Sequence, residues 1–377
     1  MAVIKKSRIV IINQVLVTSV LLSLFTGTLA AEDFNLSYDF RFRYEYTDDS
    51  GETDTRTRNR IRTRLGANYS ASKQLDLFVR FASAEENTAS AEQTLGTGFT
   101  VSDIGMDQMY LKYDVSKNVD LLFGKMENPF FKPNKSLLIF DGDYNPKGLV
   151  FSLKHGEVFS NIGHIKFDEN PLRTIDLRSF QLGWSKSIND VAKAKISFAI
   201  YDFDKVNEFS PSEITFNGKN FGNSLDENGN YLYGFSLRNL SLEIKTSVMN
   251  MPGTFFLDMV KNSDADENDS GFQSGLSVVI SDKWKFTYLY KEIESDSTFG
   301  ALTHSGFGAG GTDNKGHQFN LSYPVTKKFS VDVVWFDNKK KMAIDYNKLF
   351  LDFKYKLWKS ISFDFIIQKL KKTSFVG

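Results

Sequence analysis

Arg56, Arg58, Arg60, Arg62 and Arg64 recur at every second position, and Arg41 and Arg43 do the same a short distance upstream. At a period of two, the side chains of an extended chain share one face, so five guanidinium groups line one strand and two more line the strand before it. Arginine stays charged at any relevant pH, and its planar fork grips carboxylate or phosphate through paired hydrogen bonds. Such a wall draws anions or, opposed by carboxylates, sets a field across the space it faces. The structural alternative is that some of these arginines pair with Asp39, Glu45 and Asp76 and only hold the wall rigid.

A second constellation lies at 128–146, where Asn128, Pro129 and Phe130 lead through Phe131, Pro133 and the apolar run Leu137-Leu138-Ile139-Phe140 to Asp141 and Asp143. An apolar run of that length is costly to leave in water. Folding it inward hides the run and carries Asp141 and Asp143 towards the arginines as a constriction. The alternative is a loop that caps a rim or packs on a neighbouring subunit.

Other candidates carry little. The segment 264–269 begins like a calcium loop, but Asp269 stands where the sharp-turn glycine belongs and Gly275 where the bidentate glutamate belongs, so a solvated loop is expected. Gly306, Gly308, Gly310 and Gly311 have no helix after them to cradle a phosphate and read as a flexible loop. The histidines are His155, His164, His304 and His317, of which His164 is expected to face the interior. Nothing in the sequence pairs one with a serine and a carboxylate. No catalytic residue, metal site or cofactor is expected.

The arginines need strands to carry them. Residues 34–46 put Phe34, Leu36, Tyr38, Phe40, Phe42, Tyr44 and Tyr46 on one face and Asn35, Ser37, Asp39, Arg41, Arg43 and Glu45 on the other. The same alternation recurs at Phe180/Leu182/Trp184, Phe286/Tyr288/Tyr290 and Leu349/Leu351/Phe353/Tyr355. A soluble sandwich would fill its apolar face mainly with branched aliphatic residues. This face is rich in Phe, Tyr and Trp, as in the girdles of a transmembrane barrel. An Arg at the bilayer midplane on the lipid side of a barrel costs about 2 to 4 kcal/mol, so the arginine face must be the lumen.

Lys5, Lys6 and Arg8 precede an apolar stretch from Ile9 to Phe25 and small residues up to Ala30, which reads as a secretory signal peptide over 1–30. The exported chain has no cysteine, hence no disulfide bracing. Its charge is close to balanced, so no global field favours nucleic acid. Past the leader, no apolar run approaches the roughly 18 residues of a spanning helix.

Connections alternate between short turns (71–73, 116–118, 155–156, 188–191, 250–253, 281–283, 324–327) and longer loops (47–54, 84–103, 128–146, 168–177, 204–232, 263–270, 294–316, 338–347). Short turns on one side and long loops on the other predict an all-β transmembrane antiparallel barrel of sixteen strands over 31–358. Segment 233–247 is read as one strand with a bulge, where the outward series shifts from Phe235/Leu237 to Leu240/Leu242/Ile244. Ile361 to Ile367 alternates like one strand more, so 359–377 is either an accessory tail or evidence for an eighteen-stranded count.

Six segments together resemble the putative porin family of Gram-negative outer membranes: Arg56–Gly66, Gln93–Gly96, Asp103–Gln108, Gly124–Phe130, Asp141–Leu149 and Gly310–His317. The resemblance implies a passive channel for small hydrophilic solutes, set among outer-membrane lipid and lipopolysaccharide, and by analogy alone a homotrimer. The competing expectation is a barrel serving as adhesin or scaffold through its loops. The chain departs from the pattern at its end, which runs on through Lys371-Lys372-Thr373 instead of closing on an aromatic residue.

Overall fold

The computed structural model describes residues 34–83, 90–96, 103–170, 173–281 and 283–361. In chain order the strands are β1 (Phe34–Asp49), β2 (Arg56–Ser72), β3 (Leu75–Ser83), β4 (Gln93–Thr94), β5 (Ile104–Ser116), β6 (Val119–Lys125), β7 (Lys147–His155), β8 (Val158–Asn170) and β9 (Arg173–Ser187). They continue with β10 (Lys193–Phe203), β11 (Phe235–Val248), β12 (Met251–Asn262), β13 (Ser270–Val279), β14 (Lys285–Ile293), β15 (Asn314–Pro324), β16 (Phe329–Lys340) and β17 (Ile344–Ile361). All but β4 form one antiparallel barrel of sixteen strands, each hydrogen-bonded to its neighbours in sequence. The barrel closes where β17 pairs with β1, from Phe34 opposite Ile361 to Asp49 opposite Tyr346. Among the described residues this closure leaves no barrel strand without a neighbour on each side.

Every strand read from the alternation is present. The closing strand runs to Ile361, so 359–361 belong to the closure. The leader and the strand-like series at 362–367 lie outside the described residues.

Two of the longer loops turn out to be strand. β8 and β9 stay paired up to Asn170 opposite Arg173, and β16 and β17 up to Lys340 opposite Ile344. β4 belongs to the connection 84–103, which folds back to pair Thr94 with Arg60 and Gln93 with Ile61. It occupies the stretch of β2 beyond Arg64, where the pairing with β3 ends.

The outer face carries exposed Leu65, Phe123, Ile162, Leu182 and Phe198, while Gln181, Ser197, Ser241 and Asp352 on the inner face are buried. Towards the end with the long connections, the inner face of β8–β12 changes character. Ile165, Ile175, Leu177, Tyr201, Phe235 and Leu237 pack there against Leu138, Phe140, Tyr231, Phe299 and Leu302 from three long connections. Those connections fill part of the barrel with an apolar core.

This core overturns two readings. β11 has no bulge: its register with β10 and β12 is unbroken. Phe235 and Leu237 are fully buried on the inner face, and Arg238, the next residue along the strand, is exposed on the outer one. His164 likewise points outward, its side chain half exposed and 3.6 Å from Asp176, because neighbouring Ile165 takes the inward position.

Candidate functional site

The register of β1 and β2 sets Arg41 opposite Arg62 and Arg43 opposite Arg60, with Asp39 opposite Arg64 and Glu45 opposite Arg58. Facing guanidiniums would repel each other, so carboxylates from several elements are drawn between them. Asp352 of β17 takes Arg43 in a two-point grip, at 2.6 Å from Nε and 2.8 Å from Nη2. Glu45 accepts from Arg58, and lies 3.5 Å from Arg60 and 3.7 Å from Arg56. Asp39 accepts from Arg62 at 2.9 Å and from Arg64 at 3.0 Å.

The central carboxylate is Glu92, which the fold-back of connection 84–103 buries in the barrel. It pairs with Arg41, lies 3.0 Å from Arg43 and 3.2 Å from Arg60, and is 3 % exposed. Among the described residues, seven guanidiniums thus meet five carboxylates: Asp39, Glu45, Glu92, Asp143 and Asp352. Asp76 takes no part, since it accepts from Ser70 at 2.6 Å.

The segment between β6 and β7 reaches this wall from across the barrel. Its first half is held by neutral inner side chains of β8 and β9. The Phe131 N–H donates to Gln181 Oε1 at 2.7 Å, Gln181 Nε2 returns a bond to the Phe131 carbonyl, and Asn161 donates to the Pro129 carbonyl at 3.3 Å. Asn128 accepts from the Phe130 N–H, whose ring stands edge-on to Tyr201 at 5.2 Å. The Asn134 N–H donates to Glu243 of β11 at 2.7 Å. At the far end Asp143 lies 3.1 Å from Arg62 and 3.4 Å from Arg64, and accepts from the Ala91 N–H at 3.2 Å.

The two aspartates part company. Asp143 joins the arginines, whereas Asp141 turns to the connection 294–313, accepting from the Ser305 N–H at 3.0 Å while its own N–H donates to the Leu302 carbonyl. Burial and the adjacent Asp143 charge push the Asp141 carboxyl up to about 6. Burial also opposes the charge of Asp143, but Arg62, Arg41 and Arg64 outweigh it and hold the group at about 2.

The glycine-rich connection is packed rather than loose. Asn223 donates to the Ser295 and Thr298 carbonyls and accepts from the Gly300 N–H, and Thr312 donates its N–H to the Phe221 carbonyl. Phe299, Leu302 and Phe307 are fully buried. Left-handed backbone at Gly308, Gly310 and Gly311 makes these turns, which a side chain would strain. Among the described residues no three metal-ligating side chains converge, at 264–269 or elsewhere.

Glu92 and Asp352 were not among the residues singled out in the sequence. Asp352 carried a signal, since the closure register sets it opposite Arg43. Glu92 carried none, because only the fold of its connection decides where it lands.

No curated protein sequence matches this chain. Among solved structures it is similar to Pseudomonas putida OprB at high pH (TM-score 0.57, 12% identity, covering 87% of this chain and 94% of that one). The low-pH structure of the same protein gives TM-score 0.54 at 11% identity over 87% and 93%. An engineered Rh. blastica porin gives TM-score 0.51 at 10% identity over 86% and 100%. At these identities the likeness establishes the barrel fold alone. A protein-family model described as "Putative porin" matches residues 32–230 and 250–354, nearly the whole barrel. The chain belongs to this porin family.

Proposed function

We propose that this chain is a diffusion channel of a Gram-negative outer membrane, passing small hydrophilic solutes along the arginine wall. In this reading 1–30 is the export leader, 31–358 the barrel, and 359–377 the end of the closing strand with an accessory tail. The segment 128–146 constricts the lumen. The observation that carries the proposal is the asymmetry of the inner surface. Three connections pack on β8–β12, while β1 and β2 keep a row of charged side chains whose members are 10 to 53 % exposed along the ladder. A water-lined route along this wall accounts for charges that an apolar filling would expel. Seven guanidiniums against five carboxylates favour anions, though by far less than the arginine count alone suggests.

The apolar core inside the barrel supports the second reading, a scaffold or adhesin with a filled lumen. Conductance of the purified protein in planar bilayers separates the two. Discrete open levels are expected, and a correctly folded barrel that stays silent would replace the channel with the scaffold.

A further inference from the structure

Between the arginine wall and the connections lies a cavity of ≈ 240 Å³ lined by Arg43, Arg56, Arg58, Arg60, Lys219 and Lys348, with Glu45 its only carboxylate among the described residues. The facing side is the stretch 300–311, which contributes backbone and small neutral side chains. Glu45 is 1 % exposed and already accepts from Arg58, so the surface offered to a solute is cationic.

Two of the cations have spare capacity. Lys348, 3 % exposed, lies over the rings of Tyr346 at 5.0 Å and Phe350 at 5.5 Å; it makes no direct ion pair among the described residues, and the carboxylate whose charge it feels, Glu45, is already held by Arg58. Arg56 turns a side chain 53 % exposed towards the same space, its nearest carboxylate 3.7 Å away. Further along the wall, Arg62 and Arg64 are shared by Asp39 and Asp143. The uncompensated charge therefore sits in the cavity and not at the constriction.

We propose that this cavity is a binding subsite for a solute carrying two or more carboxylate or phosphate groups, held before it passes the constriction. Several cations converging on a partly desolvated space favour a multiply charged anion over a monovalent one, since each added charge finds a partner at short range. The volume is below that of drug-sized pockets and suits a small metabolite. The proposal deepens the channel reading, and its test uses binding instead of conductance, so that each can fail without the other.

The full chain in detergent is titrated calorimetrically with citrate, inorganic pyrophosphate and acetate. Citrate or pyrophosphate is expected to bind saturably, at one per chain, at least tenfold tighter than acetate and more weakly as salt rises. Arg56→Gln with Arg58→Gln should weaken binding about tenfold or more. Lys219→Gln, on a connection outside the barrel wall, tests the same site should the double variant fail to assemble. Preference for only one of the two polyanions would assign the site to carboxylate or to phosphate chemistry. Equal binding of acetate, or unchanged binding in Lys219→Gln together with the double variant, would overturn the subsite.

Discussion

The inner surfaces of β1–β2 and of β8–β12 are built from the same backbone and do opposite things. Towards the end with the long connections the inward residues of β8–β12 are small, neutral or apolar, as at Ser179, Gln181, Ala199, Tyr201 and Ser241, and they bury the crossing segment and its neighbours, with charge confined to positions such as Lys195 and Glu243. Even Asp258 is held by neutral donors, Asn239 at 2.7 Å and Ser241 at 2.8 Å. On β1–β2 the inward residues are arginines that no apolar segment could cover without stranding their charge, and they gather carboxylates from β17 and two connections. A barrel that lines one wall for packing and the other for charge fixes where its fillings sit.

The two walls are joined by the crossing segment, held at Gln181 on one side and at Arg62 on the other. Removing 134–142 deletes Leu137–Phe140 and Asp141 while leaving the barrel strands whole. Single-channel conductance should rise about twofold or more, the scale expected when an occlusion leaves a sixteen-stranded tube wide enough for an aqueous channel. Unchanged conductance would mean that the route along the arginines is not limited by this segment.

A smaller effect sharpens the charged side. Replacing Arg60, Arg62 and Arg64 by Gln leaves four guanidiniums, with Lys348, Lys354 and Lys356 beside them, facing five carboxylates, so the local positive excess shrinks. The zero-current potential in a potassium chloride gradient should move towards cation preference. The shift should shrink with added salt, as the Debye length falls below its roughly 8 Å at physiological strength. A potential that does not move would show that ions pass elsewhere than along this wall.

The contrast between the walls also explains what could be read from the sequence. Within the lipid belt outward positions must be apolar, so alternation alone located sixteen strands and the arginine face. The rule fails where the inside is apolar too. At Phe235 and Leu237 the inward residues serve the internal core and the outward Arg238 stands beyond the greasy belt, so the pattern runs inside out and mimics a bulge. His164 was misread for the same reason, with Ile165 as the inward neighbour. The carboxylates that offset the arginines were legible on strands, at Asp39 and Glu45. Glu92 and the divergence of Asp141 from Asp143 depend on loop conformations that have no period to betray them.

The smallest effect concerns that divergence. Asp141 gains its proton near pH 6, whereas Asp143, held at about 2, stays ionised throughout the accessible range. As pH falls from 7 to 5 the crossing segment therefore loses one negative charge, and anion preference should rise slightly. In Asp141→Asn that increment should vanish, because the charge is absent at both pH values. The linkage to folding has a definite sign as well. The native carboxyl binds its proton more readily than an unfolded aspartate near 3.9, so this group favours the folded contact between 126–146 and 294–313 increasingly as pH falls from about 6 to 4. Thermal unfolding of the two proteins across this window checks it: wild type should gain stability relative to Asp141→Asn on acidification. A constant difference between them would mean that Asp141 is not the group that titrates there.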